Sequence, residues 1–345
     1  MPHALFGTRI IAAPMAGGTS TPAFVTAVHA AGGLGFLAAG YKTVDAMTAE
    51  IRNTRGSGAR FGMNVFVPDR PRLKPTDGLR AELEAYRSEL RVDAARYGVQ
   101  LPPLRFDDDD HWQAKIDALL EDPLELVSFT FGLPGAEVIR ALRRAGSAVL
   151  ATITTEAEAL QAAERGADAL VVQHASAGGH SAAFLPGCVQ PATTAELVAR
   201  VRSAVGLPLI AAGGVMDRSG LDAVLAAGAD AAQLGTAFLR TDESGARQLH
   251  KDALASPHFT RTRLTAAFTG RQARALVNEF VRDHPHAPEA YPAIHHLTAP
   301  LRAAAAAAGD PERLNLWAGT GWRQARTGSV AEVVADVTAG LPAGD

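Results

Sequence analysis

Short apolar runs, each closing on Gly, Pro, Thr or another polar residue, recur through the first two thirds of the chain. They predict strands over 9–14, 34–39, 60–67, 126–131, 148–153, 169–174, 208–212 and 231–239. These runs are modest in β-branched residues and several are rich in alanine, so the stretches between them carry more of the assignment. Ala/Leu/Val-rich positions at helical spacing predict helices over 21–31, 135–145, 155–165, 193–205 and 219–227. Thr155 stands three residues before Glu158, the spacing of a capping box. At the other end, Gly32, Gly146, Gly166 and Gly228 each follow a helix-ending Ala or Arg, where a left-handed residue stops the helix.

Strand–helix alternation of this kind implies parallel strands joined by crossovers, hence an α/β fold. Eight strands, with the rhythm Gly166-Ala167-Asp168 and Gly228-Ala229-Asp230, favour a closed (β/α)8 TIM barrel. An open doubly wound sheet is the structural alternative. The rhythm has no fixed period, which argues against a solenoid. Two stretches break the alternation. Residues 68–123 are long, charged and punctuated by proline; with a helical pattern over 82–97, they form an insertion after the third strand that carries its own helices. The acidic run Asp107-Asp108-Asp109-Asp110 within it reads as a solvated face or a helix start, with metal binding the lesser reading. Residues 242–311 are Arg/His-rich, then Ala-rich, without a strand signal, and are expected to form a small helical subdomain. The expected organisation is a barrel over 1–241, the subdomain over 242–311 and a closing segment over 312–345, whose apolar 330–341 returns as the last outer helix.

The 345 residues suffice for one large barrel or two medium domains. Lys+Arg number 33 against 36 Asp+Glu, a net charge of −3, which disfavours nucleic acid or an anionic membrane as partner. With 47% hydrophobic and 20% charged residues, wholesale disorder is excluded. Cys188 is the single cysteine and forms neither an internal disulfide nor a cysteine-based metal site. No signal-peptide pattern opens the chain and no long apolar run suggests a membrane span, so a soluble, cytoplasmic enzyme, monomeric or homodimeric, is expected.

In a parallel barrel the reacting groups lie where the strands end. Following the predicted strands come Ala13-Pro14-Met15-Ala16-Gly17-Gly18, Asn64, Thr130-Phe131-Gly132, Gln173-His174-Ala175-Ser176-Ala177-Gly178-Gly179-His180, Gly213-Gly214 and Gln233-Leu234-Gly235-Thr236. Glycines and amides collect there; charged acids do not. Loops after the seventh and eighth strands often bind phosphate through backbone N–H groups, and Gly213-Gly214 and Gly235-Thr236 fall at those places, with the Thr236 hydroxyl a further donor. The alternative is that the glycines only permit tight turns. No side chain pattern here carries redox chemistry, so a phosphate-bearing cofactor is implied. Gly33-Leu34-Gly35-Phe36-Leu37-Ala38 spells a nicotinamide fingerprint but follows a helix and enters a strand, the wrong context. A flat flavin fits better: Asn64 and Gln173 offer amides for its polar edge, unless they serve neighbouring loop backbone, and the Pro14-Met15 backbone lies beside it. His180, after two glycines at a strand end, is the candidate proton-transfer residue. His174 is given a core or supporting role, and Ser176 lacks the G-x-S-x-G setting of a nucleophile. The pairs His295-His296 and His284-Pro285-His286 lack the carboxylate or Cys partners of a metal site.

At these residues the sequence resembles the nitronate monooxygenase family, once called 2-nitropropane dioxygenases. The resemblance runs over nearly the whole chain outside the insertion. Its parts are Ala13-Pro14-Met15-Ala16-Gly17-Gly18-Thr19-Ser20-Thr21-Pro22, Ala31-Gly32-Gly33-Leu34-Gly35, Asn64-Val65-Phe66, Ala177-Gly178-Gly179-His180, Ala211-Ala212-Gly213-Gly214, Gly235-Thr236-Ala237-Phe238-Leu239 and Asn315-Leu316-Trp317-Ala318-Gly319. It implies a TIM barrel with a small helical domain and FMN as cofactor. It implies that Asn64, Gln173, Gly178, Gly214 and Gln233, Leu234, Gly235 and Thr236 bind FMN, with Pro14, Met15, Gly179 and Gly213 beside it. His180 stands at the position of the family's base, and Trp317, Ala318 and Gly319 approach the flavin and help enclose the substrate. The implied reaction is oxidative denitrification of a nitronate or nitroalkane with dioxygen. Two departures bear on substrate preference: Ser176 replaces the usual Glu before Ala-Gly-Gly-His, and Thr320-Gly321 replaces the usual Gln after Ala-Gly. FMN-dependent enoyl-thioester and quinone reductases using NAD(P)H share the fold and the Gly-Gly-His loop, and a flavin-binding accessory protein is the non-catalytic alternative.

Overall fold

The computed structural model describes residues 4–68, 75–184 and 190–341; Cys188 lies outside them. Its strands are β1 (Ile10–Ala12), β2 (Leu34–Ala38), β3 (Phe61–Phe66), β4 (Leu126–Thr130), β5 (Ala148–Ile153), β6 (Ala169–Gln173), β7 (Gly179–His180), β8 (Leu209–Ala212), β9 (Ala231–Leu234), β10 (Thr262–Thr265) and β11 (Ala273–Leu276). Eight of them close into a parallel barrel in the order β1-β2-β3-β4-β5-β6-β8-β9, with β9 returning to β1 through the Ile10–Ala232, Ile11–Gln233 and Ala12–Leu234 pairs. This is the expected (β/α)8 barrel. Alternate strand positions, among them Ile11, Phe36, Leu126, Leu150, Val171 and Ile210, pack together as one buried cluster, while their neighbours Ile10, Leu37, Met63, Phe129 and Val149 pack with the helices. Both faces of the sheet are therefore apolar, which is why the strands appear in the sequence as short continuous runs rather than as alternation.

Helix ends follow the capping logic in part. Gly32, Gly146, Gly166 and Gly228 take φ of 83°, 97°, 95° and 102°, the left-handed stops expected of them. The Thr155 hydroxyl accepts from the Glu158 amide, but the Glu158 carboxylate turns away, accepting from Thr154 N, Thr154 Oγ1 and Phe184 N. Reciprocal boxes form instead at Thr193/Glu196 and Ser329/Glu332. The last of these opens the helix Val330–Thr338, which packs against the first outer helix, Pro22–Ala30.

Several elements differ from expectation. The helix Val44–Gly56 was not among those predicted: only Met47, Ile51 and Thr54 are buried in an otherwise polar segment. The helical pattern over 82–97 divides at Leu90 into Asp77–Glu89 and Arg91–Arg96. Trp112–Glu121, inside the presumed insertion, is an outer helix of the barrel and buries Trp112, Ile116 and Leu119, so the interruption is shorter than 68–123. The acidic run is only half solvated. Asp107 and Asp109 are exposed, but the Asp108 carboxylate lies 2.7 Å from His296 Nε2 and Asp110 lies 2.8 Å from Nζ of the fully buried Lys115. The eighth predicted strand ends at Leu234, and Thr236–Phe238 turn into a 3-10 helix.

The segment 242–311, expected to be helical throughout, holds β10 and β11 besides the helices Gln248–Ala255, Glu279–Asp283 and Ala293–Ala307. These strands read TRLT and ARAL, too short and too basic to announce themselves. They exist because they pair: β10 with β11, and β11 with β7 through Ala273–His180 and Arg274–Gly179. A buried ionic knot ties this part to the insertion. Arg313 Nε lies 2.5 Å from Asp93, its Nη atoms reach Glu279 at 3.0 Å and Asp283 at 3.1 Å, and His284 Nε2 lies 2.9 Å from Asp93. No helix among the described residues is long and apolar enough to cross a membrane.

Candidate active site

A cavity of about 440 Å³ opens where the barrel strands end, roofed by the segment after β9. Pro14, Met15, Asn64, Gln173, Gly178, Gly179, His180, Gly213, Gly214, Gln233, Gly235, Thr236, Trp317 and Gly319 all line it. Leu234 and Ala318 do not. Leu234 belongs to the barrel core, and Ala318 packs with Leu239, Leu276 and Trp322, because strand alternation and the turn at 317–319 direct these side chains away.

Two glycine loops form one wall. Gly213 and Gly214 have φ of 112° and 75°, and a Cβ on Gly213 would meet Ala177 N and Ser176 Oγ at 2.9 Å. Among the described residues, the N–H groups of Gly213, Gly214 and Gly235 find no acceptor. Thr236 Oγ1 accepts from Gly319 N at 2.9 Å, so its own proton remains available to donate. Backbone donors without partners beside a hydroxyl donor are the chemistry of an oxyanion site, and they fit the phosphate of FMN. Beside this wall, Gly178 and Gly319 pass so closely that a Cβ on Gly178 would lie 2.6 Å from Gly319 N. That contact fixes the Trp317–Gly319 turn over the barrel.

His180 is half-buried on β7 and held from several sides. Its Nε2 lies 2.9 Å from Thr269 Oγ1, its carbonyl accepts from Gln173 Nε2 at 3.1 Å, and its ring meets those of Trp317 at 5.2 Å and Phe131 at 5.6 Å. Burial, reinforced by the Arg271 and Arg302 guanidiniums, pulls its pKa down to about 3, so the imidazole is neutral at working pH. The amides expected at a cofactor edge line the cavity and also make hydrogen bonds within the protein. Gln173 Oε1 accepts from Ala182 N at 2.7 Å, so both ends of this side chain staple the loop that carries His180. The Asn64 NH2 donates to Ser128 Oγ at 2.8 Å and Thr130 Oγ1 at 3.0 Å. Gln233 lines the cavity and its amide makes no hydrogen bond among the described residues. His174 has the supporting place expected of it: Nε2 donates to the Pro191 carbonyl at 3.0 Å, and Nδ1 faces Ser176 N and Oγ. Ser176 Oγ in turn lies 3.2 Å from Thr194 Oγ1, which donates to the Gly213 carbonyl at 2.7 Å.

Other lining residues escape sequence reasoning. His250 Nε2 donates to the Trp317 carbonyl at 3.0 Å, and burial lowers its pKa to about 4. His295, weighed only as half of a histidine pair, stacks on Tyr41 at 4.2 Å. Tyr41 and Phe131, at the ends of β2 and β4, adopt left-handed φ of 67° and 78°, a conformation costly for aromatic residues and common at functional sites. Arg247 and Arg302 also reach the cavity. A strand-end reading could not find the residues beyond 240, which the chain returns from afar. Gln190, which does not line this cavity, accepts from Ala175 N and donates to the Thr154 and Gln173 carbonyls, clamping the loop after β6. Among the described residues no group of three or more His, Cys, Asp or Glu is placed to hold a metal ion.

The family model for nitronate monooxygenase matches residues 3–340. The chain belongs to the nitronate monooxygenase family. It is an oxidoreductase. A probable nitronate monooxygenase of Bacillus subtilis strain 168 is 36% identical over 319 residues, covering 91% of this chain and 90% of that one. A probable nitronate monooxygenase of Staphylococcus aureus strain MSSA476 is 34% identical over 337 residues, covering 95% and 92%. Among solved structures, nitroalkane oxidase from Streptomyces ansochromogenes superposes with a TM-score of 0.90 at 50% identity, covering 97% of this chain and 96% of the other. FabK from Thermotoga maritima, at a TM-score of 0.71 and 24% identity over 96% and 92%, shares the fold.

Proposed function

We propose that this protein is an FMN-dependent nitronate monooxygenase, which turns alkyl nitronates, and nitroalkanes after deprotonation, into carbonyl compounds and nitrite with dioxygen. The observation that carries the reading is a neutral imidazole, His180, clamped at the mouth of a glycine-walled oxyanion cavity. Family membership and the likeness to nitroalkane oxidase support it. Electron uptake from the substrate and delivery to dioxygen are the chemistry that FMN supplies when bound. Gly213, Gly214, Gly235 and Thr236 would hold its phosphate, and Pro14, Met15, Asn64 and Gln233 would lie against its ring system.

The protein's own part is placement and proton transfer. To take a proton, His180 needs its lone pair on Nδ1. Nε2–H then donates to Thr269, and the Thr269 hydroxyl donates on to the Arg271 carbonyl 3.3 Å away. Gln173 and the pairing of β7 with β11 hold the ring at a fixed height. Tyr41, Phe66, Phe131 and Trp317 supply an aromatic wall that excludes water from the reacting carbon.

The test is a spectrum and two assays. The purified protein is expected to show bound flavin, reduced under anaerobic conditions by propionate-3-nitronate and not by NADH. His180→Asn lowers kcat/KM for neutral nitroalkanes by about 100-fold or more, and for preformed nitronates by less. Rapid bleaching by NADH or NADPH would instead assign a reductase, and equal turnover by the variant on both substrate forms would remove His180 as the base.

A further inference from the structure

Among the described residues lining the cavity there is no aspartate or glutamate, yet Arg247 and Arg302 both reach it. Arg302 projects from the helix Ala293–Ala307. Among the described residues its guanidinium meets only neutral groups: Nε donates to Thr298 Oγ1 at 3.1 Å, Nη1 to Asn315 Oδ1 at 3.3 Å and Nη2 to the His295 carbonyl at 3.1 Å, with His295 Nδ1 3.4 Å from the same Nη2. Those acceptors fix the plane of the fork and leave its charge unneutralised. Its electrostatic neighbours are Tyr41 and a second cation, Arg247, and burial lowers its pKa only to about 10, which keeps it charged at neutral pH. A half-buried cation without a counter-charge is costly unless a ligand brings one. The cofactor's phosphate would have its own donors in the glycine loops, whereas Arg302 Nη2 lies 3.4 Å from His295 Nδ1, and the His295 ring connects to that of His180 through Tyr291, at centroid distances of 6.3 and 6.4 Å. Cation and base thus line the same cavity, linked through these rings.

We propose that Arg302 binds the two nitro oxygens of the substrate and is a specificity residue for the anionic nitronate. The inference rests on the reaction proposed above. The carbon addressed by the base is bonded directly to the nitrogen that bears both oxygens, so a cation lining the same cavity as His180 can meet those oxygens. A guanidinium fork matches a planar pair of oxygens as an ammonium does not. When a neutral nitroalkane is bound, its α C–H bond breaks and the proton passes to His180 Nδ1. The electron pair moves onto the nitro oxygens, where Arg302 meets the new charge. Arg247, more exposed at the rim, adds a field that draws anions inward.

Nitrate is a planar, unreactive oxyanion and serves as the probe, titrated calorimetrically into FMN-loaded protein alongside steady-state assays with ethyl nitronate. Arg302→Gln is expected to weaken nitrate binding by about 30-fold and to raise KM for the nitronate by a similar factor, with flavin content unchanged. Arg302→Lys, which keeps the charge without the fork, loses about tenfold and stands in should the glutamine variant fail to fold. Ala299→Glu, one turn earlier on the same helix and lining the cavity, supplies an internal counter-charge and is expected to abolish nitrate binding with the guanidinium still in place. Parental nitrate affinity in both Arg302 variants overturns the proposal, and so does loss of flavin from Arg302→Gln, which would assign the guanidinium to the cofactor. A parent protein that binds nitrate through Arg302 and consumes no nitronate sinks the proposed reaction instead, because the titration needs no turnover.

Discussion

Gln173, expected beside a cofactor, lines the cavity and also staples the loop that carries His180. Its amide spans from the His180 carbonyl to the Ala182 N–H, a part-buried site, so it sets the His180 imidazole before any ligand is present. Gln173→Leu leaves both groups without partners and is expected to cost about 1–3 kcal/mol of stability, seen as a lower Tm. Turnover of neutral nitroalkanes should fall further than flavin content, since the side chain supports the imidazole more than the cofactor. The site was legible in the sequence where chemistry follows from chain position: glycines, an amide and a histidine at strand ends. It was illegible where partners arrive from far along the chain, as with Thr269 under His180, His250 under Trp317, or Arg302. No local spacing connects Gln173 with residues seven and nine positions on as a staple; only the folded loop does.

Elements were legible to the extent that they bury apolar residues at their own period. The barrel strands and the Ala-rich helices do so; Val44–Gly56 shows three buried positions in a polar stretch, and β10 and β11 are held by pairing rather than by composition. The same contrast governs stability. Arg313 joins the insertion helix Arg91–Arg96 to the helix Glu279–Asp283 through Asp93, which is 6% exposed. Arg313→Ala strands that carboxylate and is expected to cost about 3 kcal/mol in urea unfolding, the low end for a broken buried pair because His284 still bonds Asp93.

At the scale of the molecule, three histidines among the described residues are held neutral by burial: His180 at about 3, His250 at about 4 and His295 at about 2. Unfolded, each titrates near its ordinary value of about 6.5. Between that value and the folded ones the unfolded chain binds more protons, so stability is complete above about pH 6.5 and is lost as the pH falls. The carboxylates held low by partners, Asp93 with its burial opposed by His284 and Arg313, and Glu125 with Arg60, act in the same direction only at more acidic pH. Tm is therefore expected to drop between pH 7 and 5, where histidines alone are responsible, and His295→Gln should flatten that slope. A Tm constant over this range would mean that the rings are already protonated or freely hydrated in the folded protein.

The ladder between Gly179–His180 and Ala273–Leu276 divides custody of the chemistry. The ring of parallel strands owns the anion cradle, while the imidazole is moored to a hairpin encoded some ninety positions later. Changes in that hairpin can shift the His180 imidazole, and with it the proposed proton abstraction, while the proposed anion cradle on the barrel stays untouched.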